Sequence, residues 1–353
     1  MLIRRVYIPG SQKKNKFINK FINTYPQIEK IEYYQNSDFN NLIQKLNSEI
    51  DYDNSQTTIV FKEHLSNFIK RCPCSQNVKS CGYYVINIIQ NCFLGCSYCY
   101  LRLYVNNNLI LINCNLEKLE IELAELSKKK KEIRLGSGEF SDSLLFDKFT
   151  GITEYIINQT QNYKNILFEI KTKTAEIQHL LDNSADIHHK QNLIFSWSLN
   201  PQTLIDTEEK FTATLKDRLR AAQTAIDFGF NVAFHFDPII YFKDWQNEYL
   251  KTIELLFSKI KAEKIKWISI GAFRCAPDLL PLIRFSTPNS KVFLGEFIRG
   301  KDNKVRYLLS LRKQMFEFII SNIRTHLKNN AQTPKIYLCM ENQELWNEFK
   351  CSI

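Results

Sequence analysis

From Tyr83 onward the chain alternates short apolar runs with longer amphipathic stretches. This is the pattern of βα units wound around a parallel sheet. The runs YYVINII, EIRLGS, ILFEIKTK, LIFSWSLN, NVAFHFDPII and KWISIGAF are the predicted strands, and six such units predict a curved or partial (β/α)6 barrel. In parallel barrels the loops after the strands converge on one mouth, so reactive groups gather there. The predicted strands end in Glu139, Lys173, Asn200, Asp237 and Arg274, which marks that mouth as the expected active site.

Two smaller segments flank the barrel, giving an α/β protein predicted to divide into residues 1–75, 76–285 and 286–353. The first is a small α/β unit: the alternating LIRRVYI, a helix from Gln12 to Tyr25, IEKIEYY, a helix from Phe39 to Ile50, and TTIVF. The last opens with a hairpin, KVFLGEFIRGKDNKVRYL, whose Gly300 and Asn303 sit where a turn is needed. A long amphipathic helix from Leu309 to about Asn329, the strand KIYLCM and a short helix complete it.

Composition narrows the class. At 353 residues, with 44% hydrophobic and 24% charged, the chain can bury a substantial core. Neither a bilayer-spanning run nor a secretory signal is visible, so a cytoplasmic, thiol-preserving location is expected. There, ten cysteines are ligands or free thiols rather than a disulfide framework. The formal charge of +10 is compatible with a polyanionic partner, or reflects a Lys-, Ile- and Asn-rich composition. The run Lys128–Lys131 is expected to be the solvated end of a helix.

The chemistry concentrates in NCFLGCSYCY, where Cys92, Cys96 and Cys99 supply three thiolates at C-x3-C-x2-C spacing and no fourth. A closed zinc site or fully ligated four-iron cluster takes four protein ligands, so three leave one iron open. Three core cysteines, or a zinc site completed from elsewhere in the chain, are the alternatives. The spacing resembles the signature of the radical S-adenosylmethionine (SAM) superfamily, in which the open iron chelates SAM.

Other strand ends add candidates. Gly138 and Glu139 in GSGE resemble the superfamily's GGE-type motif, where backbone approaches the ligand and an acceptor meets the SAM ammonium. Lys173 can pair with the SAM carboxylate, or be a solvent-facing strand end; Ser198 and Asn200 can bond SAM, or form a turn before Pro201. His235 and Asp237 share one face of a strand, either as a mutually satisfied pair or as substrate contacts.

Together these motifs resemble the spore photoproduct lyase family of radical SAM enzymes over nearly the whole chain. The resemblance includes GSGEFSDSLLFDKFTG, FEIKTKT, SWSLNPQTLIDTEEKFTATLKDRLRAA, FHFDPIIYFKDW and GEFIRGKDNKVRY. It implies a monomeric partial barrel with a [4Fe-4S] cluster and SAM, an electron donor such as flavodoxin or ferredoxin, and no membrane. It also implies repair of a methylene-bridged thymine dimer in DNA: a 5′-deoxyadenosyl radical takes a hydrogen from the lesion, the bridging bond breaks, and a hydrogen returns to the freed methyl carbon. In the family a cysteine after the second strand returns it, and here Glu139 stands at the aligned position. Cys72, Cys74, Cys81 or Cys275 can take that role, or be buried apolar thiols or, for the first three, a small incomplete metal site; Tyr98 and Tyr100 are alternative radical relays. Arg299, Lys301, Lys304 and Arg306 of the hairpin are the expected phosphate contacts. A radical SAM enzyme acting on RNA, a nucleotide or a peptide, and a noncatalytic Fe–S module, are the competing readings.

Overall fold

The computed structural model describes residues 3–49, 57–75, 77–105, 107–328 and 332–352. At the N-terminus β1 (Arg5–Pro9), β2 (Lys30–Tyr34) and β3 (Thr58–Lys62) alternate with helices Lys16–Thr24 and Phe39–Glu49, in the expected order. Asn15 starts the first helix by accepting from the amides of Phe17 and Ile18. β1 lies between β2 and β3, parallel to both.

The next strands cross between two sheets. β4 (Ile69–Arg71) pairs antiparallel with β5 (Tyr84–Ile86) in the large sheet, whereas β6 (Ile89–Gln90) and β7 (Ile110–Asn113) extend the N-terminal sheet beyond β3. The run YYVINII is therefore two strands in different sheets, not one. The switch falls at Asn87, whose amide donates to Phe68 O at 3.2 Å while its carbonyl accepts from Asn113 Nδ2 at 2.8 Å. The Asn87 N–H thus closes the β4–β5 ladder and a side chain takes its carbonyl, which lets the backbone change sheets without an orphaned backbone group. The two sheets share one continuous core, from Val6 and Phe61 through Ile86 to the barrel strands.

The remaining barrel strands are β8 (Ile133–Gly136), β9 (Ile166–Thr172), β10 (Leu193–Ser198), β11 (Asn231–Ile239) and β12 (Ile265–Ala272). After them come the short β13 (Arg274–Cys275), β14 (Phe297–Arg299) and β15 (Val305–Tyr307), and finally β16 (Lys335–Leu338). The large sheet runs β16-β12-β11-β10-β9-β8-β5-β4 and is parallel except at β4. Helices pack on its outer face, which is why β8 and β10 are buried at every position and read as continuous apolar runs. β14 and β15 form the expected hairpin, with Asn303 at φ +63° in its turn, and β13 adds a third strand. The helix Leu309–Leu327 packs against the helix Trp245–Lys259 and leads to β16. Among the described residues no helix is long and apolar enough to cross a membrane.

The barrel interior is polar, and several of its charged groups are paired. Deepest, the Arg134 guanidinium lies 4.2 Å from the centroid of Trp267 and donates to the Tyr337 hydroxyl at 2.7 Å. Above it Glu169 accepts from His235 Nε2 at 2.7 Å and Trp267 Nε1 at 3.1 Å, and His235 Nδ1 meets Ser269 Oγ at 2.5 Å. Burial, then Lys171, lowers the His235 pKa, so the ring is neutral and bridges Ser269 to the carboxylate. Asp237 pairs instead with Arg274 at 2.8 Å. His235 and Asp237 share a face, as expected, but neither satisfies the other. Gly271 makes room for the second pair, because a Cβ there would stand 2.6 Å from Asp237 Oδ1.

Candidate active site

The cysteine loop follows β6 and ends in the helix Leu101–Tyr104, at the mouth of the barrel. Asn91 starts the turn with a positive φ, and its side-chain oxygen accepts from the Cys92 amide at 2.9 Å. Gly95 is required twice over. Its φ is +67°, and a Cβ would lie 3.1 Å from the Phe211 ring.

The loop is docked on Glu208–Phe211, the segment after helix Gln202–Glu208. Cys96 forms an antiparallel bridge with Glu209, the Ser97 amide donates to Glu208 O at 2.8 Å, and the Phe211 amide donates to Leu94 O at 3.0 Å. Both glutamates turn inward. Glu208 accepts from the hydroxyls of Ser97 and Ser290 and from the Lys291 amide. Glu209 is the hub of a buried network. One carboxylate oxygen takes Lys173 Nζ at 3.0 Å, Asn200 Nδ2 at 2.9 Å and the Tyr98 hydroxyl; the other takes Arg218 at 2.5 Å.

Burial alone would raise the Glu209 pKa, but Lys173 and Arg218 hold it well below the usual carboxylate range. Burial would likewise lower Lys173, yet charge at Cys96 and Glu209 holds the ammonium above an ordinary lysine. Its Nζ lies 3.7 Å from Cys96 Sγ and 2.5 Å from the Tyr98 hydroxyl. Burial pushes the three loop thiols up, Cys96 to about 12 against the pull of Lys173. Loading a cluster would therefore release thiol protons, and Lys173 is placed to stabilise the sulfur charge that results.

The structure brings most of the sequence-predicted residues to this mouth, in roles that differ from residue to residue. Tyr98 is buried with its ring under Lys173, while Tyr100 is partly exposed and turns its hydroxyl in to Glu139 O. Glu139 accepts from Asn87 Nδ2 at 3.0 Å, and burial raises its pKa. Gly138 packs tightly on β9, where a Cβ would lie 3.2 Å from Lys171 O. Asp142 fastens the same turn to β9, accepting from Thr172 Oγ1 and the Lys173 amide, both at 2.8 Å. Asn200 has both ends of its amide engaged, since its oxygen also accepts from the Tyr249 hydroxyl at 2.9 Å. The Ser198 carbonyl accepts from Arg218 at 2.8 Å.

Other predicted residues lie elsewhere. Cys275 is buried in the apolar core, and strand alternation places it on the face opposite Arg274, away from the mouth. Arg306 is buried, donating to Met340 O at 2.8 Å and paired with Asp302, so it presents no free charge to a phosphate. Arg299 and Lys301 are exposed on the hairpin, and Lys304 is half-buried.

Sequence reasoning missed three contributors. Glu208 and Glu209 sit in the polar stretch DTEEK, with no local sign of burial. Lys171, in β9 two residues before Lys173, acts by its charge on His235 and Asp237, and among the described residues its ammonium makes no hydrogen bond. The period of two was the available signal, because it puts Glu169, Lys171 and Lys173 on one face.

The family model described as spore photoproduct lyase matches residues 4–307. The spore photoproduct lyase of Clostridium acetobutylicum is 23% identical over 283 residues, spanning 78% of this chain and 83% of that protein. That of a Geobacillus species is 24% identical over 215 residues, 60% of each chain. A solved structure of a doubly substituted spore photoproduct lyase with bound AdoMet and dinucleoside spore photoproduct superposes with a TM-score of 0.79 at 18% identity. It covers 96% of this chain and 99% of its own. The fold is thus that of the solved lyases, and with the family model spanning both the cysteine loop and the hairpin, the chain belongs to the spore photoproduct lyase family.

Proposed function

We propose that this chain is a radical SAM enzyme that repairs the methylene-bridged thymine dimer, spore photoproduct, in DNA. The observation that carries the reading is the seating of Cys92, Cys96 and Cys99 over the barrel mouth, clamped by Glu208 and Glu209, with Lys173 3.7 Å from Cys96. In number and chemistry the three sulfur donors of this loop match a [4Fe-4S] cluster with an open iron, since thiolates are the ligands such iron takes; among the described residues no three ligand side chains are yet drawn together around one point, so loading would gather them. When bound, cluster and SAM supply a 5′-deoxyadenosyl radical.

The chain's own residues hold and orient. Lys173 is committed to Glu209 and Tyr98 and serves the cysteine loop. Lys171 is the interior cation left to meet a carboxylate, and Glu139, beyond the Gly138 turn that packs on Lys171, is the acceptor for an ammonium. A zwitterionic methionine group matches this pair of opposite charges. The phenols of Tyr98 and Tyr100 border the same space. Arg299 and Lys301 are placed to meet phosphates flanking a lesion drawn out of the duplex.

Anaerobic reconstitution with iron and sulfide, then dithionite and SAM, tests the first half. 5′-Deoxyadenosine is expected, rising when dinucleoside spore photoproduct is added. An intact cluster that yields no 5′-deoxyadenosine with or without the lesion would overturn it.

A further inference from the structure

The cysteine loop comes to the surface at Gly95, the residue before Cys96. Gly95 is exposed, and the ring of Phe211 stands over it, 3.1 Å from where a Cβ would lie. Phe211 is itself 54% exposed, although its amide is tied to Leu94 O at 3.0 Å and Glu209, two residues earlier, is bridged to Cys96. A molecule resting on that ring is therefore one side chain and one residue away from a sulfur of the loop.

A single exposed aromatic is ordinary on a protein surface, and what singles this one out is the charge around it. Lys210 is exposed, with its Nζ 4.9 Å from the centroid of the Phe211 ring. Arg102 is also exposed; it reaches back to Ser97 O at 3.2 Å, and its charge acts on Cys99. Among the described residues neither cation has an ion-pair partner. The acids of the same stretch are turned away or engaged. Glu208 and Glu209 are buried, Asp206, a turn back on the helix, is bonded to Gln202 Nε2 at 2.7 Å, and Asp217 is paired with Arg220 at 2.6 Å. The result is an aromatic ring rimmed by two free cations.

This face is separate from the mouth. Tyr100 and Tyr104, four residues apart, meet edge to face at 5.8 Å, and the Tyr100 hydroxyl bonds Glu139 O at the mouth. Arg102, midway between them in sequence, projects from the other side of that helix.

We propose that Phe211, Lys210 and Arg102 form the docking face for an acidic one-electron carrier protein. The inference rests on the reading under Proposed function, because reductive cleavage of SAM consumes one electron that has to come from outside the chain. The carrier is oxidised by one electron, which enters beside Cys96 and is used up when SAM is cleaved to methionine and the 5′-deoxyadenosyl radical. Redox encounters work with small interfaces, below about 1,200 Å², and depend on charge to steer them. An aromatic centre with a cationic rim suits a carrier whose cofactor edge is ringed by carboxylates. Its separation from the mouth lets carrier and lesion be bound together. Two cations would also attract a nucleic-acid backbone, but closeness to Cys96 serves an electron and not a strand.

Two measurements test this. In the first, reconstituted protein is mixed anaerobically with flavodoxin hydroquinone or reduced ferredoxin, and bleaching of the cluster is followed by stopped flow. Wild type should be reduced at a rate that falls as salt is added. The double variant Lys210→Glu, Arg102→Glu should be slower by about tenfold or more at low salt, while Lys130→Glu, exposed elsewhere on the chain, should change the rate little. With excess dithionite all three should yield 5′-deoxyadenosine alike. In the second, wild type is coupled to the carrier with a carbodiimide and the linked peptides are mapped by mass spectrometry; carrier carboxylates should be joined to Lys210. Coupling confined to other lysines, or a double variant reduced at the wild-type rate, overturns the docking face. So does an equal loss with dithionite, which would assign both residues to the structure of the cysteine loop. A double variant that keeps its rate with the carrier but loses affinity for a duplex oligonucleotide gives the face to DNA and overturns the proposal. Wild type that yields 5′-deoxyadenosine with dithionite but is reduced by neither carrier overturns the docking face and leaves the proposed function standing; wild type that yields none with dithionite overturns the proposed function, and the docking face with it.

Discussion

Two loops of this protein each carry three cysteines within ten residues of one another, and they are built in opposite ways. The loop of Cys92, Cys96 and Cys99 is clamped by buried charge: Glu208 and Glu209 beneath it, Lys173 beside it, Arg218 behind. The loop of Cys72, Cys74 and Cys81 is half-buried and laced to the hairpin by a few polar contacts, with cations facing one thiol. A loop that must hold a cofactor needs rigidity and thiols that ionise only on loading. Similar residues stand in different surroundings because the charge around them differs.

The largest effect that would break this contrast is loss of the ligand set. Cys96→Ala should abolish the visible absorption of the reconstituted cluster, whereas Cys72→Ala should leave it intact; bleaching by the Cys72 change would mean both loops bind metal. Next in size, Glu209→Gln leaves Lys173 and Arg218 as uncompensated buried cations, at a cost of about 3–5 kcal/mol in denaturant unfolding.

The same residue fixes the sign of an acid dependence. The folded pKa of Glu209 is depressed, so its contribution is fully present above the unfolded carboxylate value of about 4.3 and is lost as pH falls below it toward the folded value. The Gln variant should therefore show a flatter acid limb than wild type, and parallel curves would remove Glu209 from the role of clamp. Gly95→Ala should cost about 1–2 kcal/mol through its left-handed backbone, with further crowding of Phe211. Gly82, in the other loop, also has positive φ but open space around it, so Gly82→Ala should cost only the backbone part.

Smaller changes separate holding from binding. Lys171→Met should weaken SAM binding by about tenfold with little change in stability, since its ammonium has no partner to orphan among the described residues. Lys173→Met, by contrast, should destabilise the fold. Arg299→Ala and Lys301→Ala should each weaken DNA binding and lower the salt slope by about one, without affecting the dinucleoside.

The sequence carried the barrel clearly because its strands are continuous apolar runs ending in polar residues, a pattern local to each strand. The cysteine loop stands out in it by spacing alone. What it hid was long-range. YYVINII is equally apolar across Asn87, so nothing local marks where the chain leaves one sheet for the other. Glu209 resembles a surface acid in DTEEK and becomes a buried hub only because Lys173, 36 residues earlier, and Arg218, 9 residues later, arrive beside it. Arg306 has the charge of a phosphate contact, but Asp302 and the Met340 carbonyl hold it against the protein while Arg299 stays exposed. Nothing local marks Cys339, and only the closing of the barrel edges sets it beside Arg274 and near Cys72.

The most direct test of the central claim is the fate of the lesion itself. Reconstituted wild-type protein, SAM, dithionite and dinucleoside spore photoproduct are incubated anaerobically and the nucleosides resolved by mass spectrometry. Conversion of the dimer to two intact thymines alongside 5′-deoxyadenosine is the expected result; 5′-deoxyadenosine formed while the dimer persists unchanged would contradict it.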